Sequence, residues 1–273
     1  SLVLLFCISL ISAQEFSMDL VKNMTPRNIG PGGMSGRVTA IDVVNSNTDI
    51  MYVGTASGGL WKSTSGGIKW EPIFDKELTA SIGAVEIQQS NPSVIWVGTG
   101  EGNVRNSVSI GDGVYKSMDG GKTWKNMGLS KSEHVSDIII HPTNPDIVWV
   151  SAQGPLWSGG GERGLYKTTD GGETWKQVLT PADKWTGVTS LLIDPRNPDK
   201  LYAATWARQR SIGAYVGTNE GAGIHTSNDG GETWTELKTG LPEGNMGKIG
   251  MAISPMNPDV IYATIETDNR GGG

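Results

Sequence analysis

The sequence is poor in the residues that thiol, zinc or phosphate chemistry requires. It holds 1 cysteine, 3 histidines and 3 phenylalanines in 273 residues. Cys7 lies inside the apolar stretch 1–13. A mature chain without that stretch is cysteine-free, which excludes disulfides and thiolate sites. His134, His141 and His225 stand in three unrelated contexts without metal-ligand spacing, so neither a metal site nor any cofactor is expected. No Gly-x-Ser-x-Gly elbow occurs. Gly30-Pro-Gly-Gly-Met-Ser-Gly36 looks like a phosphate loop, but it leads into a strand at Val38 and lacks a Gly-Lys-Ser/Thr ending. The formal net charge of −6 argues against nucleic acid as a partner. No segment sustains helical periodicity.

Residues 1–13 have the length of a signal-peptide apolar region with a small-residue cleavage site, and are too short to span a bilayer as a helix. A buried first strand is the alternative reading. The expectation is a secreted or extracytoplasmic protein, in the periplasm or at the cell surface. No membrane insertion is expected after cleavage, and 14–26 serves as a lead-in.

What the chain has in abundance is repetition. Ser63-Thr-Ser-Gly-Gly-Ile-Lys-Trp70, Ser117-Met-Asp-Gly-Gly-Lys-Thr-Trp124, Thr168-Thr-Asp-Gly-Gly-Glu-Thr-Trp175 and Ser227-Asn-Asp-Gly-Gly-Glu-Thr-Trp234 are four versions of one phrase. Repeats of this length are supersecondary units that bury their cores against their neighbours. Asp119, Asp170 and Asp229 suit a hairpin turn, where the carboxylate accepts local N–H groups and the glycines take positive φ. Catalysis or metal binding by these aspartates is the rival reading. The turn role explains a residue repeated once per unit better, and Ser65 replaces the aspartate in the first copy while Trp70 remains.

A second phrase recurs out of phase: Asn47-Thr-Asp, Asn91-Pro-Ser, Asn144-Pro-Asp, Asn197-Pro-Asp and Asn257-Pro-Asp, each between two apolar, β-branched runs. One unit is therefore four antiparallel strands, and radial repetition of such units is an all-β propeller. Blades are expected at about 37–74, 82–126, 134–179 and 187–237. An incomplete fifth at 248–273 would make 27–273 a partial propeller in a fragment of a longer protein.

In this geometry the short stereotyped turns share one end of the strands, and the irregular loops share the other, where binding usually resides. The irregular loops carry Glu101, Arg105 and Asn106; Trp157, Glu162 and Arg163; and Trp206, Arg208 and Arg210, with Arg37 nearby in sequence order at the first blade. Exposed tryptophan beside arginine and carboxylate suits glycan or peptide. The competing reading has these groups pairing with one another to brace long loops.

The Ser/Thr-x-Asp-Gly-Gly-x-Thr-Trp copies resemble the Asp box of BNR-repeat propellers, the superfamily of sialidases, xyloglucan-cleaving glycoside hydrolases and sortilin-type receptors. The segments Ile29-Gly-Pro-Gly-Gly-Met-Ser-Gly-Arg-Val-Thr-Ala-Ile-Asp42, Gly58-Gly-Leu-Trp-Lys-Ser63 and Gly98-Thr-Gly-Glu101 resemble large secreted bacterial proteins described as sortilin N-terminal-like or glycosyl-hydrolase BNR-repeat proteins. The resemblance covers residue 27 onward and implies a propeller of seven or more blades. No Arg-Ile-Pro type signature accompanies the boxes, which counts against a sialic-acid site. Xyloglucan-cleaving relatives carry a catalytic aspartate in a Thr-Asp-x-Gly-Gly segment of the first blade. Here the matching stretch is Thr55-Ala56-Ser57-Gly58-Gly59, and Ala56 neither accepts a proton nor activates water.

The leading expectation is a module that binds glycan or an extracellular protein. The alternatives are a polysaccharide-degrading glycoside hydrolase, with Glu101, Asp112 or Glu162 as candidate acids, and a purely structural scaffold.

Overall fold

Runs of β-branched and aromatic residues, cut by Asx turns and glycine pairs, favour antiparallel strands over any helix. The structure is a computed structural model that describes Ser17, Asp19, residues 37–103, Arg105 and residues 108–268. The chain divides into two units, Ser1–Gly30 and Pro31–Gly273, and every described strand lies in the second. The proposed signal segment, the lead-in and Asn106 lie outside the described residues. Among the described residues no helix is long and apolar enough to cross a membrane.

Four sheets repeat one meander. The first comprises β1 (Val38–Val43), β2 (Met51–Thr55), β3 (Leu60–Ser63) and β4 (Glu71–Pro72), and the second β5 (Ile82–Ile87), β6 (Ile95–Thr99), β7 (Val114–Ser117) and β8 (Lys125–Asn126). The third contains β9 (Val135–Ile140), β10 (Val148–Ala152), β11 (Gly164–Thr168) and β12 (Lys176–Leu179). In the fourth, β13 (Thr186–Asp194) and β14 (Asn197–Ala207) pair with β17 (Gly223–Ser227) and β18 (Thr235–Glu236). A small hairpin, β15 (Gln209–Arg210) and β16 (Tyr215–Val216), is inserted after β14. The strands β19 (Met246–Ser254) and β20 (Asn257–Thr267) pair as a fifth sheet.

The first strand of each sheet packs beside the first strand of the next: β1 on β5, β5 on β9, β9 on β13 and β13 on β19. Successive sheets thus turn about a common axis, as blades of a propeller. The core lies in the seams between them. Tyr52, Leu60 and Phe74 of the first blade share one cluster with Val85, Val97 and Tyr115 of the second. Trp96 meets Ile138 and Val150 across the next seam, and Trp149 meets Leu191 and Leu201 across the one after.

The repeated phrases build the turns at one end. Ser117 Oγ accepts the amide of Gly121 at 2.9 Å, while Asp119 accepts the Thr123 amide at 2.9 Å and its hydroxyl at 2.6 Å. These bonds, the Thr123 hydroxyl foremost, hold the Asp119 carboxyl down at about 2. In the first copy Ser65 Oγ stands in, accepting from the Lys69 amide at 2.9 Å. The two phrases clamp each other: the amides of Gly66, Gly120, Gly171 and Gly230 donate to the carbonyls of Asp49, Ser93, Asp146 and Asp199. Each box tryptophan precedes its outer strand by one residue; Trp234 donates to Gly231 O of its own box at 3.0 Å, while two others work sideways. Trp124 donates its indole N–H to Ile73 O, and Trp175 donates to Met127 O, each in the preceding blade.

Lysines tie the same seams from the other direction. Lys62 and Lys116 lie over the rings of Tyr52 and Trp96, their cross-strand partners, and donate to the carbonyls of Gly120 and Gly171 in the next blade, both at 2.9 Å.

Candidate functional site

The axis is lined by one position per blade. In β1, β5, β9 and β13 the ladder skips one residue, Thr39, Gly83, Ser136 or Thr189. Three of these bear hydroxyls, each donating to a carbonyl of the next blade: Thr39 to Ile82, Ser136 to Val188 and Thr189 to Ile249. Gly83 has none, because a Cβ there would lie 1.9 Å from Val135 O. In β19 the register shift spans Lys248. These residues, closed by Gly102 and Asn103, line a polar cavity of about 70 Å³.

The loop after β6 folds over this cavity and is reached from every other blade. Glu101 is fully buried and forms a bidentate pair with Arg37 of the first blade, at 3.1 and 2.5 Å. Gln153 of the third blade donates to Gly102 O at 3.1 Å, and Arg208 of the fourth donates to Asn103 O at 3.1 Å. Lys248 of the fifth donates to Gly102 O at 3.2 Å and to Asn103 Oδ1 at 3.5 Å. Arg208 and Lys248 both lie against the Trp206 ring, 5.2 and 5.9 Å from its centroid.

Burial governs the electrostatics here. It pushes the Arg208 guanidinium down to about 10 and lowers the Lys248 ammonium, to which Arg208 adds by repulsion. Arg208 remains charged at neutral pH. His134, next to this loop, is 0% exposed, and burial drives it down to about 3, so it stays neutral. Gln153, His134, Lys248 and the axial hydroxyls escaped the sequence reading. The available signal was an aliphatic residue followed by a small or hydroxyl residue at each inner strand: Val38-Thr39, Ile82-Gly83, Val135-Ser136 and Val188-Thr189.

Two sequence expectations need correction. Trp206 is 2% exposed and donates its indole N–H to Gly217 O at 2.6 Å, so its ring supports cations from within and offers solvent no stacking face. Arg163 is also buried, and all five of its N–H groups donate to the carbonyls of Gly160, Gln153, Trp185, Pro155 and Ser158. It braces its loop and has no donor left for a ligand.

Trp157 is 52% exposed, and Arg105 is exposed as well. Arg210 stacks over Tyr215 in the β15–β16 hairpin. Of the other candidate acids, Glu162 accepts the Lys131 amide at 2.8 Å, and Asp112 accepts the Tyr115 hydroxyl at 3.0 Å. Ala56 is buried, its amide bonded to Arg37 O. Among the described residues no group of three His, Cys, Asp or Glu side chains is placed to hold a metal ion.

Comparison with known proteins follows the same lines. The Sortilin-Vps10 family model (sortilin, neurotensin receptor 3) matches residues 112–242. A probable oligoxyloglucan-reducing end-specific xyloglucanase of Neosartorya fischeri is 25% identical over 188 residues, covering 57% of this chain and 22% of that protein. The chain therefore spans about a fifth of that relative's length. Among solved structures, an ancestral GH74 enzyme matches with a TM-score of 0.65 and 20% identity over 87% of this chain and 30% of its own. The GH74 xyloglucanase of Xanthomonas campestris matches with a TM-score of 0.62 and 19% identity over 83% of this chain and 35% of its own. Together with four copies of the box and a radial stack of four-stranded sheets, these matches show the fold of a BNR-type, Asp-box β-propeller.

Proposed function

We propose that this protein is an extracytoplasmic propeller module that binds glycan on the face carrying its irregular loops. The carrying observation is the contrast between the two ends. One is a set of near-identical clamped turns, while the other gathers Arg37, Glu101, Arg208 and Lys248 around the axis and exposes Trp157 at its margin. An exposed indole stacks on a sugar ring, and fixed donors select its hydroxyl and carboxylate oxygens. The named xyloglucanase relatives favour a polysaccharide over a protein as the ligand. Residues 1–13 supply the argument for export.

A glycan array probed with the purified protein, followed by titration of the best ligand against Trp157→Ala and Arg105→Ala, tests this reading. Saturable binding weakened at least about fivefold by one of the two changes is expected. Binding indifferent to both would remove the loop face from consideration.

Hydrolysis is a second reading, motivated by the same relatives. Glu101 is poorly placed for it, being buried with both carboxylate oxygens held by Arg37. Release of reducing ends from xyloglucan that disappears in Asp112→Asn or Glu162→Gln would establish hydrolysis, and silence on a broad polysaccharide panel would dismiss it.

A further inference from the structure

The cations at the axis are poorly balanced. Among the described residues Arg208 and Lys248 have no acidic side chain within ion-pair distance, and Glu101 is already taken by Arg37. Arg208 is 4% exposed, yet its Nη2 has no hydrogen-bond partner, and the same is true of the neighbouring buried groups Arg210 Nε and Tyr215 OH. Charges and donors removed from water without compensation are costly, and a fold retains them where something compensates. Arg208 Nη2 and Arg210 Nε can only donate, so the partner each lacks is an acceptor; Gln153 Oε1 at the same hub lacks a donor.

What neutral partner these cations do have is informative. Asn103 gives one oxygen to each, its main-chain carbonyl to Arg208 Nη1 at 3.1 Å and its side-chain Oδ1 to Lys248 Nζ at 3.5 Å. Asn103 thus bridges the two cations with neutral oxygens, alongside Gly102 O at 3.2 Å from Lys248 Nζ, and no carboxylate takes part. Asn103 is itself exposed, so the bridge lies where a ligand from solvent can reach it.

We propose that Arg208 and Lys248 form a carboxylate site in which a uronic acid of an acidic glycan takes the place of the Asn103 side-chain oxygen. The proposal rests on the glycan reading above and narrows it to acidic polysaccharides. The ligand's carboxylate accepts from Arg208 Nη2, now unused, and from Lys248. The Trp206 ring holds both cations in place from beneath, and the Asn103 side chain swings into solvent. In the ligand-free protein Asn103 is a displaceable substitute.

Calorimetric titration with trigalacturonate, cellotriose and a tripeptide with a free C-terminus, at matched ionic strength, tests this. Trigalacturonate is expected to bind at least about tenfold more tightly than cellotriose, the difference a charge-assisted pair provides. Asn103→Asp places a tethered carboxylate between the cations. It is expected to weaken trigalacturonate about tenfold, without raising the melting temperature, because it also deletes the Asn103 Nδ2 donor to Glu101 Oε1 at 3.2 Å. Lys248→Met, with its fold checked by circular dichroism, is expected to weaken trigalacturonate and leave cellotriose unchanged.

Equal affinity for trigalacturonate and cellotriose would overturn the carboxylate site while leaving the glycan reading intact. Binding of the tripeptide in preference to either sugar would keep the site and reject the glycan. No binding by any of the three would overturn both.

Discussion

Trp175 donates its indole N–H to the carbonyl of Met127 at 2.7 Å, across the seam between the second and third blades. Its ring meets Trp96 edge-on, with centroids 6.1 Å apart. The box tryptophan is thus both filler and fastener. Trp175→Phe keeps most of the ring and deletes the donor, leaving the Met127 carbonyl to water. A loss of about 1–1.5 kcal/mol is expected, or about 2–4 °C in melting temperature for a chain of this size. Trp70→Phe is expected to cost clearly less, since Trp70 is 36% exposed. Equal losses in a calorimetric comparison would refute the fastener role.

The second seam is also where backbones come closest. A Cβ on Gly83 would stand 1.9 Å from Val135 O and 2.4 Å from Gly100 O. Neither is a flexible side-chain tip, so Gly83→Ala has to push neighbouring blades apart. We expect a loss of about 3 kcal/mol or an insoluble protein. Gly213→Ala, with no atom within 4 Å of the new methyl, is the control and should stay within about 0.5 kcal/mol. Chemical denaturation of the two variants side by side would decide the matter, and a harmless Gly83→Ala would mean the inner strands can slide.

Arg163 predicts a defect confined to one loop. Lysine has three donors on a rotating point charge and cannot reproduce a planar set of five. Arg163→Lys is expected to cost about 2–3 kcal/mol and to render residues 153–163 the first site of protease cleavage. Unchanged cleavage kinetics would show that the five carbonyl bonds are dispensable.

Acidity acts on this fold with two opposite signs. Asp119 is held at about 2, and Asp170 and Asp229 below the carboxylate range, by their box hydroxyls, so the stability they contribute is present above pH about 4 and lost as pH falls toward 2. Asp137 is the reverse case. Its carboxyl accepts the Leu191 amide of the next blade at 3.0 Å, and burial pushes it up to about 7. Its contribution is complete below the ordinary carboxylate value and is lost as pH rises through 7. Glu86 is likewise driven upward, by burial first and then by Asp42 and Asp137. Melting temperatures should therefore fall from pH 5 to pH 8, and Asp137→Asn, which keeps an acceptor for Leu191, should flatten that slope. A variant with an unaltered pH 5–8 profile would assign the slope elsewhere.

The fold was legible because its signals are local and repeated. A glycine pair that needs positive φ and a hydroxyl two residues before an aspartate act within one turn, a tryptophan follows that aspartate by five residues, and four copies average out the exceptions. The site was legible only as composition. Arg163 and Trp206 sit in or beside irregular loops among other polar residues, as a binding surface requires, yet their side chains turn inward to main-chain carbonyls 3 to 22 positions away. Lys248 meets residues 145 and 146 positions away. No window of sequence contains both partners of such a contact, so orientation had to come from coordinates.

Sheets latched only to their neighbours by indoles and lysines would be expected to fray from either end, one at a time. The segment Glu101–Asn103 changes that expectation, because three consecutive residues of one blade hold Arg37, Gln153, Arg208 and Lys248 of the other four. Peeling away the first or the fifth blade must tear a contact at the hub as well as one at the rim. Distant regions of the arc therefore share their fate.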